Sequence, residues 1–154
     1  MKYESGRSMI EMLGVLTIMG VITAVAIGAI LTATRMQKRN TVNEEVLQIV
    51  SQVRQLLGEY DDFSNINNNT IWGAIGMKNK NPYGGSYELS VDPANSRQFV
   101  VSVTGLSKSD CEYFVTKGWP DSVDYIASDK KKSGAVGNCK SADGQNVVKI
   151  TYGE

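Results

Sequence analysis

From residue 12 to residue 34 the chain carries no charged side chain: MLGVLTIMGVITAVAIGAILTAT, roughly 23 residues in a row. At about 1.5 Å of rise per residue, a helix of that length matches the ~30 Å hydrocarbon core of a bilayer. Immediately before it stands one carboxylate, Glu11, between Met9-Ile10 and Met12-Leu13. An acid that close to lipid is costly unless it has a partner. An ordinary secretory signal has a shorter apolar core and a small-x-small cleavage site, and LTATRMQKRN offers no convincing one. The stretch lies so near Met1 that no folded domain is expected ahead of it. The chain is expected to begin as a membrane helix with one anomalous charge.

The residues around that charge form a pattern. A short polar leader, MKYESG, ends in Gly6, and Glu11 is the fifth residue after it. This resembles the N-terminus of the type IV pilin family, which includes the type II secretion pseudopilins. The resemblance implies cleavage after Gly6 by a prepilin peptidase on the cytoplasmic side and N-methylation of the new terminus at Arg7. It also implies that Glu11 serves assembly by pairing with the free amine of a neighbouring subunit. Two features depart from the family pattern. The first mature residue is Arg7 rather than Phe, Met or Leu, and the apolar stretch has no proline, only Gly14, Gly20 and Gly28 as weak points.

Beyond the membrane stretch, 154 residues leave room for one soluble domain of roughly 95–120 residues. Formal net charge is zero, so no bulk field points to nucleic acid or anionic lipid. There is no histidine, which removes the commonest general base and metal ligand. No phosphate-binding loop or nucleophile motif occurs either. No catalytic residue, metal or cofactor is expected, and the assembly energy of a pilin would come from a separate cytoplasmic ATPase at an inner-membrane platform. The two cysteines, Cys111 and Cys139, both follow the membrane stretch, and an even pair in a small exported domain reads as one structural disulfide. Flanking charges alone do not orient the helix. Lys2 and Arg7 stand on one side and Arg35, Lys38 and Arg39 on the other, while the cysteines and the leader favour export of the C-terminal part.

Periodicity carries the helix further. Val42, Val46, Ile49, Val50, Val53, Leu56, Leu57 and Tyr60 trace one stripe at helical spacing, with Glu44, Glu45, Gln48, Ser51 and Arg54 between them. Gly58 and Asp61-Asp62 are the first stop signals. One helix of about 50 residues is the expectation, with a break near Arg39-Asn40 as the alternative. Residues 63–80 form an Asn-rich crossing in which Ile71, Trp72, Ala74 and Ile75 can make a turn or two of helix. Asn81-Pro82-Tyr83-Gly84-Gly85 is a turn. Residues 86–90 and 98–103 read as strands of a hairpin joined through residues 92–96. Ser107 can cap a helix with Asp110 reaching back and Leu106 stapling onto Cys111, and Gly118 ends it. Residues 124–127 and 146–152 are further strands.

Helix followed by antiparallel strands is an α+β layout. The order Asn81-Pro82-Tyr83, strand, Gly105-Leu106, then a helix carrying Cys111 resembles the head of type IVb pilins. The resemblance implies a pilin fold: leader 1–6, membrane and filament-core helix 7–34, amphipathic continuation 35–60, and a globular head 61–154 with a disulfide-bounded region 111–139. It implies a filament subunit with other pilin subunits as partners, held in the inner membrane before assembly and then extracellular or in a periplasmic pseudopilus. Lys130-Lys131-Lys132, inside the bridged region, is a candidate anion or DNA contact of a minor pilin or pseudopilin, set against the plainer reading of a solvated loop. Trp72, Trp119, Tyr83 and Tyr113 are expected in the core or at subunit contacts.

Overall fold

The computed structural model describes residues 4–58, 62–127, 137–140 and 142–153, with side chains in the first helix from Ser8 onward. Helix α1 (Glu4–Leu57) is followed by α2 (Ile71–Ala74), β1 (Tyr87–Asp92), β2 (Asn95–Leu106), α3 (Lys108–Lys117), β3 (Asp124–Ile126) and β4 (Asn146–Gly153). The residues around Arg39-Asn40 are helical, so α1 has no break there. The architecture is α+β: one long N-terminal helix and a four-stranded antiparallel sheet in the order β1-β2-β4-β3. The chain divides into two units, Met1–Lys38 and Arg39–Glu154.

Within the second unit, the stripe on α1 forms one wall of the core. Val42, Val46, Ile49 and Val53 are fully buried, Val50 nearly so, and Leu57 packs on the same cluster half-buried. Leu56, placed in the stripe by its spacing, is instead 43 % exposed. It falls about 20° beyond Ile49, the last buried residue on that side of the arc, and apolar periodicity alone does not resolve so small a rotation. Tyr60 lies outside the described residues.

The sheet supplies the other wall by strict alternation. Register places Tyr87 opposite Val103, which faces Val148; Leu89 opposite Val101, which faces Ile150; and Val91 opposite Phe99, which faces Tyr152. Except for Val91, every member of these rows is buried in one cluster with the α1 stripe. Each such side chain contributes about 1.5–3 kcal/mol of burial, which makes these rows and the stripe the main driving force of the head. Strand β2 runs longer at both ends than the sequence pattern implies. Asp92 pairs with Asn95, leaving a two-residue turn at Pro93-Ala94 in place of a five-residue loop. Asp92 Oδ1 accepts from Ala94 N–H at 2.8 Å and Asn95 Oδ1 from Arg97 N–H at 3.0 Å, side-chain bonds that shape the turn locally.

The outer edge of β1 is covered rather than left open. Tyr87 N–H donates to the Asn79 carbonyl at 2.7 Å and Leu89 N–H to Asn68 Oδ1 at 3.0 Å, while Ile71, Trp72 and Ile75 of the crossing segment are buried. An edge strand whose N–H groups are occupied cannot recruit a foreign strand there.

Asn81 fixes the entry to the sheet. Its amide donates to the Thr104 carbonyl at 2.7 Å, and its Oδ1 accepts from Tyr83 and Gly85 N–H, both at 3.0 Å. At this point two backbones cross. A Cβ on Gly85 would stand 2.1 Å from the Thr104 carbonyl oxygen, and Gly105 opposite has φ +78°. Only glycine fits either position.

Candidate functional site

In the first unit the side chains of residues 8–37 are exposed around the whole helix. Met12, Leu16, Ile22 and Leu31, for example, keep more than three-fifths of their area open. A helix apolar on every face has no solvated side and requires an apolar surrounding. Its hydroxyls do not oppose that. Thr17, Thr23, Thr32 and Thr34 each donate Oγ1–H to the carbonyl four residues back, on Leu13, Met19, Gly28 and Ile30, at 2.8, 2.8, 3.0 and 2.9 Å. Four polar groups are thereby satisfied inside the helix, as a lipid environment demands. This stretch is long and apolar enough to cross a membrane, a test of length and composition that a signal sequence also passes.

Glu11 stands on this surface in a shallow groove with Ser8, Met12, Val15 and Leu16, and its carboxylate has no partner among the described side chains. The side chain of Arg7, four residues before it, lies outside those described. The glycines of the stretch are not demanded by this chain's own packing. A Cβ at Gly14, Gly20 or Gly28 would meet nothing within 4 Å.

In the second unit, helix α3 is fixed at its first turn from three directions. Ser107 Oγ caps the N–H of Asp110 at 3.2 Å, as its spacing implies, and Asp110 Oδ2 reaches back to accept from the Ser107 hydroxyl at 2.6 Å rather than from its backbone N–H. Leu106 and Cys111, the expected staple, are both fully buried. Cys111 is bonded to Cys139, closing a separation of 28 residues, for which the chain-entropy estimate is about 3.5 kcal/mol. Arg39 of α1 donates Nε–H to Asp110 Oδ1 at 2.8 Å, reaches the Ser109 carbonyl at 3.4 Å, and lies 4.3 Å over the ring of Tyr113.

The Arg39–Asp110 pair was not legible from sequence. Asp110 announced only a capping role and Arg39 only a charge after an apolar run, and 71 residues separate them. The same holds for Asn146. Fully buried, it donates to the carbonyls of Leu106, Lys140 and Ala142 and accepts from Lys140 N–H at 2.6 Å. It therefore anchors the chain just after Cys139 independently of the bridge.

The aromatic residues are core parts. Trp72 and Trp119 are buried, their indole N–H groups donating to Asn68 Oδ1 and to the Phe114 carbonyl, and Tyr83 and Tyr113 meet Phe114 edge-on. Burial, and next the nearby Asp110 carboxylate, raises the Tyr83 phenol above its ordinary range. Burial, and next its bond to Glu45, raises Tyr87. Tyr152 is pushed up to about 12, first by burial and then by Asp121, against a lowering by Arg54. Lys130, Lys131 and Lys132 lie outside the described residues. No protein-family model matches this chain, and no curated protein matches it either.

Proposed function

We propose that this chain is a structural subunit of a type IV pilus-like filament, with a pilin fold and a prepilin-type N-terminus. One observation carries the reading. A single carboxylate, Glu11, stands without a described partner on a helical surface otherwise apolar on all sides, five residues after Gly6. Before assembly the apolar stretch would rest in the inner membrane; in the filament it would be covered by the same stretch of neighbouring subunits.

Cleavage after Gly6 would free an α-amine at Arg7, the first mature residue and the site of methylation. An ammonium and a carboxylate attract strongly in low dielectric, and either one alone is costly there. Pairing Glu11 of one subunit with the amine of the next would then favour one stagger between helices. The head, stabilised by its own core and bridge, would form the sheath. A minor pilin or pseudopilin would share the same N-terminus, and its DNA-binding version depends on Lys130–Lys132.

The test is the intact mass and N-terminal sequence of the protein from cells with and without a prepilin peptidase. The expected result is a peptidase-dependent start at Arg7 carrying one extra methyl group. A terminus still at Met1 in both would overturn the assignment. In the same cells, Glu11→Ala is expected to spare membrane insertion and lower filament yield, and undiminished filaments would remove Glu11 from the mechanism.

A further inference from the structure

The surroundings of the bridge are fixed without it. On the Cys111 side, Ser107 caps the first turn of α3, the Cys111 N–H donates to the Ser107 carbonyl at 2.9 Å, and Arg39 holds Asp110. On the Cys139 side, the next residue, Lys140, is held at both backbone groups by Asn146. Its N–H donates to Asn146 Oδ1 at 2.6 Å, and its carbonyl accepts from Asn146 Nδ2 at 3.1 Å. The same Nδ2 reaches the carbonyls of Leu106 and Ala142, both at 3.3 Å, and the Gly144 N–H donates to the Leu106 carbonyl at 3.1 Å. Leu106 pairs with Asn146 in the sheet and leads through Ser107 into α3. One fully buried amide thus ties the two cysteine segments together. The cysteines differ in access: Cys111 is fully buried and Cys139 half-buried.

We infer that Asn146 places Cys139 beside Cys111 before any bridge exists, so that the head folds reduced and then closes its own disulfide, with Cys139 meeting the oxidant and Cys111 completing the bond. The Cys139 thiolate attacks a small disulfide such as glutathione disulfide, forms a mixed disulfide and releases one glutathione. The Cys111 thiolate then attacks the Cys139 sulfur and releases the second. Two cysteine thiols are oxidised, one disulfide is reduced, and the cysteine protons pass to the departing glutathione thiolates. The placement has a magnitude. Coupling is reciprocal, so a bridge that stabilises the fold is favoured by the fold to the same extent. For a separation of 28 residues the chain-entropy estimate amounts to about 300-fold. That whole factor is realised only if both sulfurs are in place in the reduced head. Nothing here depends on the role of the N-terminal helix.

The test equilibrates the full-length protein in detergent with reduced and oxidised glutathione, in buffer and in urea. Acid quenching, alkylation and intact mass then give the bridged fraction. Wild type should favour the bridge about 300-fold more in buffer than in urea. Asn146→Ala should cut that factor by about tenfold, the cost of fixing again one freed residue. Ile49→Val, which loosens the core elsewhere, should leave it unchanged. With Cys111→Ser, one glutathione should load onto Cys139; with Cys139→Ser, Cys111 should stay free until urea is added. Should Asn146→Ala fail to fold, the double variant Cys111→Ser with Cys139→Ser keeps Asn146 and is read by hydrogen exchange, its Lys140 and Gly144 amides remaining protected. A factor near one in wild type, an unchanged factor in Asn146→Ala or an equal fall in Ile49→Val overturns the inference. So does loading of Cys111 as fast as Cys139, an unfolded double variant, or free exchange of both amides in it.

Discussion

The two parts of α1 use opposite means to the same end. From Ser8 to Gln37 the helix exposes its apolar side chains on every face and turns its threonine hydroxyls back onto its own carbonyls. From Arg39 to Leu57 it buries one apolar arc and commits polar side chains to other elements. Arg39 bonds Asp110, Glu45 accepts from the Tyr87 hydroxyl, and Arg54 lies 6.0 Å over the Tyr152 ring. The first part satisfies its threonine hydroxyls within the helix and is unsatisfied in apolar contact. The second is satisfied in apolar contact and depends on the head for its polar partners. The exposed apolar surface is long and apolar enough to cross a membrane, while the other part buries one face in a protein core.

The largest effect that separates the parts is a truncation of matched chemistry. Ile49→Ala is expected to lower the stability of the head by about 2–5 kcal/mol, since Ile49 is fully buried in its core. Ile22→Ala, on a residue 63 % exposed, should leave it unchanged. Urea unfolding of the full chain in detergent, followed by the fluorescence of Trp72 and Trp119, reads both. Equal losses would mean that the apolar stretch packs against the head.

A smaller and more discriminating effect concerns the Arg39–Asp110 pair. The Asp110 side chain is 6 % exposed and the Arg39 side chain 20 %. Removing the arginine leaves a buried carboxylate that keeps the Ser107 hydroxyl but has lost its cation, whereas removing the carboxylate leaves a guanidinium on a long stem that can reach water. Arg39→Gln should therefore cost about 2–3 kcal/mol and Asp110→Asn about 1–2, discounted for the exposure of the arginine. The same unfolding measurement decides the order. Arg35→Gln, outside the head, should cost nothing, and a loss there would erase the division between the parts.

Much of this was legible in the sequence because the signals are local. The stripe, the Ser107 cap, the Gly118 stop, the alternation of β4 and the turn at Asn81 each lie within a few residues. What was not legible is long-range or set by small rotations. The Arg39–Asp110 and Glu45–Tyr87 bonds join residues 71 and 42 positions apart, and nothing local marks either partner. The order β1-β2-β4-β3 places the last strand inside the sheet, a choice that alternation cannot express. Leu56 was misplaced because it sits at the margin of an arc. At the N-terminal surface the sequence showed the spacing of Gly6, Arg7 and Glu11 but not the return of the threonine hydroxyls to their own helix.

Those hydroxyls sharpen the comparison at its smallest scale. The first part leaves none of its four threonine hydroxyls idle, but the head buries Tyr152 completely, and its hydroxyl has no hydrogen-bond partner among the described residues. A buried donor without a partner contributes nothing, so Tyr152→Phe should be neutral or mildly stabilising at pH 7. Its effect appears at high pH. The phenol is raised from its ordinary 10.0 to about 12, so the folded state holds its proton where the unfolded state has released it. With more protons bound by the folded form, stability is complete below pH 10 and falls as pH climbs toward 12. For Tyr152 alone the loss is about 1.4 kcal/mol at pH 11. Tyr83 and Tyr87, also raised, add losses of the same sign. Unfolding curves of wild type and Tyr152→Phe between pH 9 and pH 11, taken over about an hour to spare the bridge, measure the difference. The variant should show the shallower fall, and parallel curves would mean that the hydroxyl is solvated after all.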